Sequence, residues 1–174
     1  MAINTTITNK VLDFASAAHA SVNQLYDGMP YVEHLHEVAE YAAMFGYLIG
    51  DSPTRTLAIC CAYCHDILED VRISYNDLAK ATCSSVAEVA YLLQTPKGRN
   101  RAERHCTAYY EGIAADKMAT FIKLCDRLAN VAYSKRSQSS MHAKYKAEHA
   151  HFAAILQPAY PEFAPMWAKL EELY

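Results

Sequence analysis

The sequence predicts an all-α protein: one domain over residues 1–174, built as a bundle of roughly eight to ten helices. Three observations predict it. Apolar residues recur at three- and four-residue spacing through most of the chain. Alternating strand-type runs are absent. Gly (5) and Pro (6) are scarce and fall mainly between the periodic segments. A chain of 174 residues is also short enough to fill a single core.

Each element has a local reason. Thr8 is a candidate N-cap for a first helix with Val11, Phe14, Ala18 and Val22 on one face. A loop, Asp27 to Pro30, ends that segment, and a second helix runs from about Val32 to Ile49. In Gly50-Asp51-Ser52-Pro53, Ser serves as cap and Pro as first helical residue of the next helix, about Thr54 to Asp70. Ser74-Tyr75-Asn76-Asp77 and Ser85-Val86-Ala87-Glu88 both fit the capping-box pattern and open two shorter helices. Further helices follow over about Asn100–Gly112, Lys117–Tyr133, Met141–Leu156 and Pro161–Leu173.

Composition excludes several classes. Hydrophobic residues make up 52% of the chain and the net charge is −3, which is incompatible with disorder. Without a basic surplus, no nucleic-acid partner is expected. The longest apolar run, Tyr41 to Gly50, is far shorter than the roughly 18 residues of a membrane span. No leader pattern is visible at the N-terminus, so the six cysteines are expected as reduced thiols in a cytoplasmic protein. Cys61-Ala62-Tyr63-Cys64-His65 fits the haem-attachment string C-x-x-C-H, but buried thiols ahead of a functional His are the favoured account.

The chemistry concentrates in His65-Asp66-Ile67-Leu68-Glu69-Asp70. On a continuous helix these side chains crowd one end, three acids together behind the most apolar helix of the chain. Carboxylates at a helix C-terminus face the negative end of the dipole. A compensating divalent cation would explain them, the alternative being a solvated helix terminus at a small electrostatic cost. Other helices must then supply ligands. His34 and His36 lie early on the second helix, and Asp126 sits among Leu124, Cys125 and Leu128.

His34, His65-Asp66 and Asp126 together match the H…HD…D metal signature of the HD superfamily. The chain further resembles the small alarmone hydrolases, the stand-alone relatives of the hydrolase half of RelA/SpoT enzymes. That likeness rests on Ala18-His19, Pro30-Tyr31-Val32-Glu33-His34, His65-Asp66-Ile67-Leu68-Glu69-Asp70 and Lys123-Leu124-Cys125-Asp126-Arg127-Leu128-Ala129-Asn130, and it spans about Phe14 to Glu148. The resemblance implies an HD-type bundle. It implies that His34, His65, Asp66 and Asp126 hold a divalent cation, typically Mn²⁺. It makes Glu69 and Asp70 the residues that activate water or protonate the leaving group. Asn130 and Tyr145 would hold a nucleoside and Arg101 a phosphate. The implied reaction is removal of the 3′-pyrophosphate of (p)ppGpp, with a small-molecule nucleotide as the partner.

Two departures from the family stand out. Leu25-Tyr26, in the uncharged stretch Gln24 to Met29, replaces a basic Arg-Lys pair, and Leu35 replaces the Pro after the first ligand. The uncharged loop opens the alternative of another nucleotide, such as a dNTP or NADPH. A non-catalytic nucleotide sensor is a third reading, against which the retention of both Glu69 and Asp70 argues.

Overall fold

Asn4 opens the first helix, accepting the Ile7 amide on its side chain, so α1 (Thr5–Ser21) starts one turn before the expected Thr8. The structure, a computed structural model, describes residues 3–174. Met1 and Ala2, where the search for a leader pattern begins, lie outside the described residues. Among the described residues the chain is nearly all helix. Nine helices have seven residues or more, joined by two of four residues, two 3₁₀ turns and one minimal hairpin. The all-α expectation holds.

Asp27-Gly28 does more than end a helix. It forms the two-residue turn of an antiparallel hairpin, β1 (Leu25–Tyr26) with β2 (Met29–Pro30), in register Leu25 to Pro30 and Tyr26 to Met29. Both turn residues have positive φ, 51° and 82°, the conformation that Asp-Gly accepts readily. α2 (Val32–Phe45) ends earlier than expected, in a 3₁₀ turn at Gly46–Leu48. Asp51, not Ser52, caps α3 (Ser52–Cys64), because its carboxylate takes both the Thr54 amide and hydroxyl.

The main correction is the end of this helix. The expected helix to Asp70 breaks at His65-Asp66, and a separate four-residue α4 (Ile67–Asp70) follows. The His65 ring bonds back to the Ala62 carbonyl at 2.7 Å, satisfying an end group of α3. Asp66 sits at φ −101°, ψ 0°, outside regular helix. Glu69 and Asp70 therefore occupy the first turn of α4 rather than the C-terminus of a long helix.

Ser74 forms the expected capping box with Asp77 at the start of α5 (Tyr75–Ala81). Ser85 does not. Cys83 is the N-cap of α6 (Ser84–Leu93), which puts Ser85 inside the helix, and Glu88 instead accepts from the Tyr75 hydroxyl.

The helices fall into two compact units, the first up to Gln94 and the second from Thr95. In the first, α3 packs against α1, α2 and α6 around Leu35, Val38, Ala58 and Leu78. Leu35 is fully buried there. In the second, the expected helix from Asn100 divides into α7 (Arg101–Arg104) and α8 (Thr107–Ala114). α9 (Lys117–Arg136) packs on α8, α10 (Met141–Leu156) and α11 (Ala164–Leu173) around Phe121, Phe152 and Phe163. A 3₁₀ turn, Pro161–Phe163, leads into α11. Among the described residues no cysteine is in a disulfide, and Cys61 and Cys64 are buried in the core face of α3.

Candidate metal centre

The break after α3 creates the site. On a regular helix adjacent side chains point apart. Here, at the interrupted turn, His65 Nε2 and Asp66 Oδ2 approach to 2.9 Å. His34, in the first turn of α2, brings its Nε2 to 3.9 Å from the same carboxylate oxygen. Each of the three residues offers a ligand atom, and these atoms lie within 4.8 Å of one another. The two imidazoles are buried and Asp66 is partly open.

The protonation pattern fits a cation. His65 Nδ1 faces a carbonyl, which can only accept, so the ring carries its proton there. That tautomer turns the Nε2 lone pair towards the Asp66 carboxylate. At 2.9 Å the two atoms are reconciled either by a proton on Nε2 or by a cation held between them. A metal-bound imidazole oriented by a backbone carbonyl is the usual second-sphere arrangement.

The surroundings hold these ligands. Tyr26, carried by the hairpin, stacks on the His34 ring at 4.7 Å. The Tyr31 hydroxyl donates a short hydrogen bond to Asp66. Asp70 lies alongside, accepting from Gln24 Nε2 at 3.3 Å. Burial first, then the charges of Asp66 and Glu69, push the Asp70 carboxyl up to about 7. Glu69 is exposed on the same short helix.

Asp126, Asn130, Tyr145 and Arg101 belong to the second unit. Asp126 is nearly buried on α9, paired with Lys123 Nζ at 3.1 Å and accepting from the Asn130 amide. The Tyr145 ring has the guanidinium of Arg101 at 5.4 Å and that of Arg127 at 4.9 Å. Arg101 turns Nε and Nη2 onto the Glu148 carboxylate, and Arg127 shares that carboxylate at 3.2 Å.

The structure thus brings together His34, His65, Asp66 and Asp70, and separately Asp126 with Asn130 and Arg101 with Tyr145. Sequence reasoning missed the parts of Tyr31, Gln24 and Glu148. Tyr31 stands three residues before His34, a helical turn, and that spacing was the available signal. Gln24 and Glu148 carry no such signal, because their partners are 46 and 47 residues away in the chain.

Fold and cluster define an all-α protein with a His-His-Asp group that could hold a metal ion. No protein-family model matches the chain, and no curated protein sequence does. A solved structure does: that of a metazoan ortholog of SpoT, described as hydrolysing ppGpp and playing a role in starvation responses. The TM-score is 0.76 at 20% sequence identity, over 99% of this chain and 96% of the other. At that identity the likeness establishes a shared fold. No helix among the described residues is long and apolar enough to cross a membrane.

Proposed function

We propose that the chain is a divalent-metal-dependent phosphohydrolase that removes the 3′-pyrophosphate of (p)ppGpp, giving GDP or GTP and pyrophosphate. The observation that carries this is the convergence of His34, His65 and Asp66 beside a carboxyl, Asp70, with a pKa raised to about 7. The shared fold with a protein described as hydrolysing ppGpp supports the choice of substrate.

In this proposal Asp126 is the fourth ligand, a role that rests on the H…HD…D pattern of the sequence. Residues 1–174 then act as one hydrolase domain. Two imidazoles and two carboxylates suit Mn²⁺. Such an ion, when bound, neutralises phosphate charge and acidifies water. The chain's own groups do the rest. Asp70, poised near neutrality, takes a proton from the attacking water or returns one to the leaving oxygen, and Glu69 orients the water. Asn130 and Tyr145 hold the nucleoside. Arg101 offers phosphate the Nη1 edge that Glu148 does not occupy. Reduced thiols fit a cytoplasmic setting.

A second reading keeps the chemistry and changes the nucleotide to a dNTP or NADPH. The uncharged Leu25-Tyr26 favours it, in a loop stretch, Gln24 to Met29, that carries no positive charge. Tight nucleotide binding without turnover would favour the sensor reading instead. The test is pyrophosphate release from ppGpp with Mn²⁺, wild type against D66A, followed by a nucleotide panel. The proposal expects release by wild type and loss in D66A. Failure of wild type on every nucleotide, or D66A matching wild type, removes it.

A further inference from the structure

We propose that Tyr31 is a positioning residue whose phenol hydroxyl fixes the carboxylate of the candidate metal ligand Asp66 and links it to Asp70. The inference rests on the metal-centre reading above and adds to it a residue that does not itself hold the ion.

The tyrosine ring is clamped before its hydroxyl does anything. Tyr31 is the residue at which α2 begins, one turn before His34, and it is buried. Its ring lies face to face on His19 of α1, with centroids at 4.4 Å and planes 26° apart. Tyr26 of the hairpin meets it edge-on at 6.2 Å, and His34 at 5.4 Å. Three elements therefore define where the ring stands, and the hydroxyl has little freedom.

That hydroxyl points at acids from another element. It donates to Asp66 Oδ2, the oxygen that also faces His65 and His34. It also hydrogen-bonds the Asp70 carboxyl, which Gln24 holds from its other side. Asp66 sits in the broken turn between α3 and α4, where no regular helix geometry orients it. The phenol supplies the missing restraint, and it spans from the ligand to the acid meant to move a proton. Groups that orient metal ligands typically change metal affinity by about 10–100-fold when removed.

The bland alternative is a buried aromatic whose hydroxyl merely finds an acceptor. The two differ in what Tyr31→Phe does, because Phe keeps the ring stack and removes only the O–H. Mn²⁺ affinity of the purified, full-length protein is measured by electron paramagnetic resonance at pH 7.5 without nucleotide. Positioning predicts binding weakened about 10–100-fold in Y31F. It predicts unchanged affinity in His19→Phe, which preserves the stack but lacks the link to Asp66. On ppGpp, kcat falls in Y31F while KM stays near wild type.

Equal Mn²⁺ affinity in Y31F and wild type overturns the inference and leaves the metal-centre reading standing. A wild type that binds no Mn²⁺, or a D66A variant that binds it normally, overturns both. Should Y31F fail to fold, 3,5-difluorotyrosine at position 31 keeps ring and hydroxyl while altering donor strength, and unchanged affinity there is equally fatal.

Discussion

Replacing His19 by Phe removes one buried imidazole, and the pH dependence of folding reports its environment. His19 is 1% exposed, and among the described residues neither ring nitrogen has a hydrogen-bond partner. Burial, countered by the charge of Asp66 and reinforced by His65 and His34, lowers its pKa from 6.5 to about 4. Between those values the unfolded chain binds a proton that the folded chain refuses. Stability therefore falls as pH drops from about 6.5 towards 4, by about 1.4 kcal/mol per pH unit and about 3 kcal/mol in all for this residue. Phe cannot titrate and retains the stack on Tyr31 at 4.4 Å. Urea unfolding followed by circular dichroism, in EDTA at pH 7.5, 6.0, 5.0 and 4.5, measures the difference. H19F should gain on wild type by about 2–3 kcal/mol from pH 7.5 to 4.5. His105, whose pKa burial lowers to about 3, contributes equally to both proteins and cancels. Parallel stability curves for the two proteins would falsify the assignment of His19 as a buried neutral ring.

Three further outcomes are expected. Asp70→Asn should abolish hydrolysis yet stabilise the metal-free protein at pH 8 by about 1–2 kcal/mol after allowance for solvent screening. The sign follows from the raised pKa: ionising Asp70 costs stability as pH rises from about 4 through 7, and Asn has no such cost. Arg127→Met should cost about 3 kcal/mol in urea unfolding, since a guanidinium 3% exposed lies over Phe152 at 4.5 Å and pairs with Glu148. Loss of less than about 1 kcal/mol would contradict that burial. Ser74→Ala should cost about 1 kcal/mol through the lost capping box, with no change in Mn²⁺ binding.

The sequence by itself determined the helical class and most helix boundaries to within a turn. It could do so because apolar period, caps and Pro are local signals, read within a few residues. The His65-Asp66 break was invisible to it: the apolar period runs through those residues, and only a ring turned back onto the Ala62 carbonyl interrupts the helix. Tertiary structure alone decided that adjacent His65 and Asp66 face each other at 2.9 Å, that Gln24 reaches Asp70 and that Tyr31 reaches Asp66. These contacts join Gln24 and Tyr31, which flank the hairpin, to acids 46 and 35 residues further on. Such long-range pairing depends on how packed helices meet, which no local pattern encodes.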